Sequence, residues 1–131
     1  MKDVPTPKPL FWMGSSRRDR KQFFPDLRQI IGFALWEAQN GGKHPDAKPL
    51  KGFSGAGVLE LVEDQQGSTY RAVYTVKFGG AVYALHAFQK KSKRGSKTSL
   101  ADRELIRSRL KLAEKHYEQW CKSEEQTKNR R

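Results

Sequence analysis

The sequence predicts an α+β fold with two helices near the N-terminus, a small, largely meander antiparallel sheet, and a helix near the C-terminus. Apolar residues recur at helical spacing in segments 27–38 and 106–120, which indicates two amphipathic helices. Between them, runs of alternating apolar residues are separated by glycines, which indicates strands joined by tight turns. At 131 residues, one domain is expected.

The N-terminal part contains two predicted elements behind a proline-rich lead-in. Residues 1–9 are expected to be flexible, and Leu10–Met13 is a short apolar run that suits an edge strand. Ser15 or Ser16 then caps a short helix that continues through Phe24. This helix is strongly basic, which is usual for a solvated helix face, and RNA contact is the alternative interpretation.

The second helix is expected to begin at Pro25, because proline suits the first helical position. Gly41-Gly42 is expected to end it. The sequence then predicts a loop over Lys43–Pro49, a strand over Val58–Glu63, and a turn over Asp64–Gly67. The apolar stripe of the helix comprises Leu27, Ile30, Ile31, Ala34, Leu35 and Ala38.

A hairpin follows, in which Ser68–Phe78 pairs with the segment after Gly79-Gly80. Two consecutive glycines predict a two-residue type I′ turn, since that turn needs positive φ at both central positions. This register places Arg71 opposite Phe88, Val73 opposite His86, and Thr69 opposite Lys90, so that Arg71, His86, Phe88 and Lys90 share one face. The other face is expected to belong to the core, with Tyr70, Ala72, Tyr74, Val76, Tyr83, Leu85 and Ala87.

Thr98 or Ser99 is expected to cap the last helix, with Asp102 completing a capping box. Its apolar stripe comprises Ile106, Leu110, Ala113, Tyr117 and Trp120, while Arg103, Arg107, Arg109, Lys111 and Lys115 lie on the rest of the helix. The tail from 122 to 131 is polar and expected to fray. The domain is therefore expected to span 10–121.

The composition is strongly basic, with 26 Lys and Arg against 14 Asp and Glu, a net charge of +12. Such an excess points to nucleic acid, an anionic surface or an acidic protein as the partner, with a merely soluble basic protein as the alternative. Cys121 is the one cysteine, so an internal disulfide is excluded, which fits the cytoplasm. The N-terminal residues do not resemble a signal peptide, and no stretch is long enough to span a bilayer.

The segment between Gln65 and Ala101 contains no acidic residue, and its cations predict a phosphate-binding site without metal. The repulsion between them would be relieved by a polyanion. Nucleotide-binding glycine loops are absent, and His44, His86 and His116 lack metal-ligand spacing. A cationic site can also cleave RNA: arginine stabilises the phosphorane, and a crowded lysine acts as acid or base. From the residues alone, phosphate binding and RNA cleavage remain equally open.

Several segments, in this order, resemble the RelE/ParE superfamily of bacterial toxins, and within it the phage-derived HigB-like branch. They are FFPDLRQIIGFALWEAQNGG, KPLKG at 48–52, GVLEL at 57–61, YRAVY at 70–74 and LHAFQKKSK at 85–93, followed by a helix. The resemblance covers roughly 10 to 117. It implies a RelE-like fold and the toxin of a type II toxin–antitoxin system, an endoribonuclease that cleaves mRNA on the ribosome without metal or other cofactor and inhibits translation.

The resemblance also implies roles for individual residues. Arg71 corresponds to the phosphate-stabilising arginine of the family. Lys48 and Lys51 correspond to the cations at the start of the central sheet. The candidate catalytic residues are Arg71, Lys90, Lys91, Lys51, Glu60 and His86; the candidate RNA-binding residues are Lys48, Gln89, Lys93, Arg94, Lys97 and Phe88. Some relatives carry Tyr or His where this chain has Gln89 and Lys90, so the general acid and base stay unassigned. Glu60 is either the base or a partner of Arg71.

The expected partners are the ribosome, mRNA and a cognate antitoxin of the helix-turn-helix, HigA-like kind, in a hetero-oligomer with the toxin. Two alternatives remain open. Relatives of the ParE kind share the fold, lack nuclease activity and inhibit DNA gyrase. A basic RNA-binding module without toxicity would bind RNA in a salt-sensitive way.

Overall fold

Five strands and three helices form the fold, which we describe from a computed structural model. The structure describes residues 6–53, 55–65, 67–90 and 98–129. In chain order the elements are β1 Leu10–Trp12, α1 Ser16–Lys21, α2 Pro25–Gln39, β2 Ala47–Pro49, β3 Val58–Gln65, β4 Ser68–Thr75, β5 Val82–Lys90 and α3 Leu100–Asn129.

The strands form one sheet in the order β1-β5-β4-β3-β2. The antiparallel meander runs from β2 to β5, and β1 joins the far edge parallel to β5. The predicted α+β class, with two N-terminal helices and one C-terminal helix, is confirmed. The parallel pairing of β1 makes the sheet mixed.

Two strand boundaries differ from the sequence prediction. The predicted loop 43–49 is wrong at its end, because Ala47–Pro49 pairs with Leu59–Leu61 as the short edge strand β2. Proline is tolerated in an edge strand, whose outer side needs no N–H donor. The third strand extends to Gln65, which pairs with Ser68, so the predicted turn over 64–67 is too long.

The helix α2 covers one face of the sheet. It begins at Pro25 as predicted, and it ends where Gly41 adopts a φ of 84° and Gly42 N donates to Glu37 O at 2.8 Å. Its buried stripe packs against the α2 side of the sheet in one core cluster. The buried residues of the stripe are Leu27, Ile31, Ala34, Leu35 and Ala38.

The helix α3 covers the opposite face. Its N-terminus is capped as predicted, since Asp102 N donates to Ser99 Oγ at 3.1 Å. Ile106 and Ala113 are buried in a second core cluster on this side of the sheet. The helix continues to Asn129, so the prediction of a frayed tail is wrong for residues 122–129. The segment contains no Gly or Pro, and its Lys, Glu and Gln residues favour helix.

The predicted hairpin register is confirmed near its open end. Thr69 pairs with Lys90, Arg71 with Phe88, and Val73 with His86. After Val73 the register shifts by one residue, and Tyr74 pairs with Ala84. The shift places Tyr83 and Leu85 in the core cluster under α3, so the prediction that they share a face with Tyr70 and Tyr74 is wrong.

The type I′ turn at Gly79-Gly80 is also wrong. The strands end at Thr75 and resume at Val82, and neither glycine has a positive φ. Gly80 is needed for a different reason, because a Cβ there would lie 2.9 Å from the hydroxyl oxygen of Tyr117. That hydroxyl accepts a hydrogen bond from Gly80 N at 3.0 Å, which docks the connection against α3.

Gly57→Ala should destabilise the fold more than Gly55→Ala. Both glycines have positive φ, which costs an alanine about 1–2 kcal/mol. A Cβ at position 57 would also lie 3.0 Å from the backbone nitrogen of Lys77, whereas position 55 has no atom within 4 Å. Urea denaturation of both variants measures the difference, and equal losses of stability would contradict the close-approach explanation.

Candidate functional site

The predicted site lies on the sheet face that α3 covers. Because directly paired residues point to the same face, the register places Lys48 beside Glu60, and Arg71 beside Phe88. The neighbouring pairs Val73–His86 and Thr69–Lys90 extend this row toward the open end of the hairpin. Most of the predicted catalytic residues that the structure describes therefore share one surface.

An ion pair between Arg71 and Glu60 forms the centre of this surface. Arg71 Nη1 lies 2.7 Å from Glu60 Oε2, and the two side chains are only 3% and 14% exposed. Glu60 reaches Arg71 diagonally, since it pairs with Val73 two positions farther along β4. The same Glu60 oxygen accepts a hydrogen bond from Thr98 Oγ1 at 2.8 Å, which connects the pair to the start of α3.

His86 is held on both ring nitrogens. Its Nε2 lies 2.8 Å from Asp102 Oδ1, and Arg109 Nη1 lies 3.5 Å from Nδ1. Because a guanidinium only donates, Nδ1 accepts and Nε2–H donates to the carboxylate. The ring also stacks on Phe88, with centroids 4.3 Å apart. This arrangement matches a neutral imidazole in a fixed orientation.

The pKa values of this pair follow from burial and mutual contact. Burial lowers the pKa of His86, and the hydrogen bond with Asp102 opposes that change without reversing it. For Asp102, burial raises the pKa, but hydrogen bonds from His86 and Ser99 lower it overall. The neutral form of His86 and the ionised form of Asp102 are therefore both favoured.

Arg109 was expected on the outer surface of the helix, and that prediction is wrong. Its side chain is only 9% exposed and donates to Leu85 O at 2.8 Å and to Ser15 Oγ at 3.1 Å. A signal existed in the sequence, because position 109 lies between Ile106 and Ala113 on the apolar stripe. The sequence did not reveal the register shift beside Leu85, whose carbonyl oxygen accepts the hydrogen bond from Arg109.

The remaining predicted residues are more scattered. Gln89 pairs with Tyr70 on the opposite face and donates to Ser68 Oγ at 3.0 Å. Lys51 is in the turn after β2, where its carbonyl accepts a hydrogen bond from Arg103 of α3. The candidates Lys91, Lys93, Arg94 and Lys97 lie outside the described residues.

The acid-free segment was expected to leave its cations repelling one another. For Arg71 the structure corrects that expectation, because a carboxylate from outside the segment pairs with it. Glu60 of β3 neutralises Arg71, and Asp102 of α3 pairs with His86.

Within the described part of the chain, no group of three His, Cys, Asp or Glu side chains is placed to hold a metal ion. Within the same residues, no helix has the length and apolar character needed to cross a membrane.

Comparison with known proteins gives a family match and a likeness to solved structures. The family model described as "Phage derived protein Gp49-like (DUF891)" matches residues 20–111. Among solved structures, a chain of the toxin–antitoxin complex RelBE2 from Mycobacterium tuberculosis is similar, with 19% sequence identity and a TM-score of 0.42. The match covers 70% of this chain and 100% of that one. None of the curated proteins matches the sequence.

Lowering the pH from 7.5 to 5.5 should reduce the free energy of unfolding through His86. Its pKa in the folded state lies below the unfolded value, so the unfolded chain binds the proton first and stability falls as the pH drops below about 6.5. One proton accounts for at most about 1.4 kcal/mol per pH unit. Urea titrations of wild type and His86→Gln measure this contribution; an unchanged pH dependence in the variant would contradict it.

Replacing one partner of the central ion pair should destabilise the fold more than the loss of the pair as a whole would suggest, because the other charge stays buried. Glu60→Ala or Arg71→Ala should each destabilise the chain by about 3–5 kcal/mol, because the remaining charge loses its compensating partner in a buried position. The double variant should lose clearly less than the sum of the two single losses. A double-mutant cycle by urea denaturation measures this coupling, and additive losses would show that the pair is not coupled.

Proposed function

The chain belongs to the family of phage-derived Gp49-like proteins, and from that premise we propose that it is the toxin of a type II toxin–antitoxin system. In this proposal it is a HigB-like mRNA interferase that cleaves RNA on the ribosome and arrests translation. The proposal extends the sequence resemblance described above. The observation that carries it is the pairing of a carboxylate with an arginine, Glu60 with Arg71, on a face that also holds Lys48 and Lys90.

The proposed reaction is attack of a ribose 2′-hydroxyl on the adjacent phosphate. Glu60 accepts the 2′-hydroxyl proton while the 2′-oxygen forms its bond to phosphorus. Arg71 donates to the phosphate oxygens as negative charge accumulates in the phosphorane. The bond from phosphorus to the 5′-oxygen then breaks, and an acid donates a proton to that oxygen. The products are a 2′,3′-cyclic phosphate and a 5′-hydroxyl, so no water is consumed in this step.

We assign the acid to Lys90 in preference to His86. Both ring nitrogens of His86 already have partners, Asp102 and Arg109, and burial lowers its pKa away from the protonated form. Lys90 pairs with Thr69 at the end of the same face and carries a proton to donate. His86 then contributes through its stacked partner Phe88, which supplies an aromatic surface beside the site.

The remaining candidates take binding roles in this proposal. Lys48, paired with Glu60 across the sheet, binds a phosphate next to the one that reacts. Lys51 and Lys91 add positive charge to the catalytic site, and Gln89, Lys93, Arg94 and Lys97 contact the flanking RNA. Their lysine and arginine side chains are suited to the backbone of a strand.

Burial of Arg71 supports dependence on the ribosome. At 3% exposure, its guanidinium reaches a phosphate only after neighbouring side chains move, and a phosphate must compete with Glu60 for it. A phosphate of an RNA that the ribosome holds in place competes with Glu60 better than a phosphate of free RNA does, because the RNA is already positioned. We accordingly propose that free RNA is a poor substrate.

An antitoxin is the second proposed partner, besides the ribosome and mRNA. A free interferase would harm the cell that makes it, so a masking protein is required; the resemblance indicates a helix-turn-helix, HigA-like one. The net charge of +12 favours an acidic surface on that protein. The proposed location is the cytoplasm, where mRNA is translated.

One observation favours a second candidate function. An arginine as buried as Arg71, paired with a carboxylate, also suits a purely structural role. A ParE-like toxin that inhibits DNA gyrase without nuclease activity needs no accessible arginine. A basic RNA-binding module without toxicity is the remaining alternative.

Expression of the full chain in a bacterium should arrest growth and produce new cuts in abundant mRNAs, mapped by primer extension. Lys90→Gln should reduce cleavage by about 10²–10⁴-fold, the usual effect of losing a general acid. Arg71→Lys should reduce it as well, since lysine keeps the charge and loses the bidentate geometry. Lys122→Gln, an exposed lysine far along α3, is the charge-matched control and should cleave like wild type.

Each result separates the candidate functions. Growth arrest with intact mRNA and DNA-damage signalling would replace the interferase with the gyrase-directed toxin. Absence of arrest, together with salt-sensitive RNA binding, would favour the binding module. Arrest with cuts that persist in Lys90→Gln would keep the function and remove Lys90 as the acid.

A further inference from the structure

A cleft of about 440 Å³ lies between the α1–α2 junction and the far end of β5, beside the Arg71 face. Beyond the carboxamide and carboxyl groups, its walls are mainly aromatic. The residues that form it are Asp19, Gln22, Phe23, Phe24, Tyr70, His86, Ala87, Phe88 and Gln89. Of these residues, the function proposed above uses His86, Phe88 and Gln89 and leaves the others without a role.

The aromatic walls present ring surfaces to a flat ligand. Phe24 is 42% exposed although it is a large apolar residue, and its ring lies 6.0 Å from that of Tyr70 in an edge-on arrangement. Phe88 closes the other side, supported by the stacked ring of His86. An exposed ring held by other rings is typical of surfaces on which unstacked nucleobases stack.

The polar groups of the cleft include two side-chain oxygens that are available as acceptors. Asp19 uses Oδ2 to accept from Ser15 at 2.6 Å, and no described residue bonds to its other oxygen. Gln89 commits its amide nitrogen to Ser68, which leaves its carbonyl oxygen as an acceptor. Gln22 is able to donate or accept. A ligand that fills both acceptors offers two N–H donors on one nitrogen, as the exocyclic amino groups of adenine, cytosine and guanine do, whereas uracil has the single N3–H.

Positive charge lies outside the cleft rather than within it. Arg17, Arg18 and Lys21 are on α1, the helix that also carries Asp19, and all three are exposed. Lys90 follows Gln89 at the opposite side. An aromatic interior with cations around it suits a nucleotide whose base enters and whose phosphates stay at the rim. An apolar peptide segment would offer no anion to these cations.

We propose that this cleft binds one unstacked RNA base that carries an exocyclic amino group, and so sets a base preference next to the cut. The inference rests on the proposed function for its link to cleavage. His86 and Phe88 connect the two sites, because they belong to the Arg71 face and also line the cleft. A strand whose phosphate lies on Arg71 is therefore able to turn a neighbouring base into the cleft.

Binding is measured first without cleavage, with 2′-O-methyl oligonucleotides, which lack the attacking hydroxyl. Amide resonances of the full-length ¹⁵N-labelled chain are followed during titration with A₄, C₄ and U₄. Resonances of Gln22, Phe24 and Gln89 should shift with A₄ and C₄, and U₄ should bind several-fold more weakly. Equal binding of U₄, shifts only elsewhere, or no binding of any oligonucleotide would overturn the proposal.

The variants include a matched control. Phe24→Ala should weaken binding of A₄ about tenfold, within the range expected for loss of one stacked base. Phe33→Ala removes an equally accessible ring, 52% exposed on α2 and outside the cleft, and should bind like wild type. Gln22→Ala, which removes an exposed side chain, gives a second test that does not depend on the aromatic packing. Equal loss in Phe24→Ala and Phe33→Ala would overturn the assignment.

Cut-site mapping in the same variants separates this inference from the proposed function. If wild type cleaves mRNA and Phe24→Ala cleaves the same sites with an unchanged base preference, the cleft assignment fails and the interferase stands. If wild type does not cleave but the titration still distinguishes A₄ from U₄, the cleft stands and the interferase fails. A broadened base preference with retained cleavage supports both.

Discussion

The buried ion pair between Glu60 and Arg71 is the constraint on which the rest of the structure depends. Two charges removed from water cost free energy that only close, well-directed contact offsets, so β3 and β4 must keep the register that sets the 2.7 Å contact. Thr98 donates to the same carboxylate, which fixes where α3 begins. A one-residue slip of β3 against β4 would place the two charges on opposite faces of the sheet.

Helix α3 is held on the sheet by polar contacts in addition to its apolar stripe. Asp102 binds His86, and Arg109 reaches through the helix interface to Leu85 O and Ser15. Apolar packing of Ile106 and Ala113 alone would tolerate rotation or sliding, since dispersion contacts are weakly directional. The polar contacts remove that freedom, and they also join α1 to the far side of the sheet.

The local pattern of apolar and polar residues predicted most of the fold and which residues share the Arg71 face. It failed where contacts between residues distant in the sequence determine the structure. Strand alternation was enough to place Arg71, Phe88 and Lys90 together, because that depends on near neighbours in the chain. The glycines before β5 could not be interpreted in this way, since Gly80 is required by the hydroxyl of Tyr117 rather than by a positive φ. The burial of Arg109 and the role of Asp102 likewise depend on α3 crossing the sheet. The roles of Lys91, Lys93, Arg94 and Lys97 stay predictions.

The ion pair that stabilises the free chain also constrains how the proposed reaction can begin. Arg71 cannot bind a phosphate fully while Glu60 holds it, and Glu60 Oε2 already accepts hydrogen bonds from Arg71 and Thr98. Transfer of Arg71 from the carboxylate to the phosphate would resolve both restrictions at once: the phosphate gains its donor, and the Glu60 oxygen becomes accessible to the 2′-hydroxyl group. Thr98 links that exchange to the start of α3. Substrate binding and activation of the base would then be one event, so an RNA that is not held against the pair leaves the base inactive.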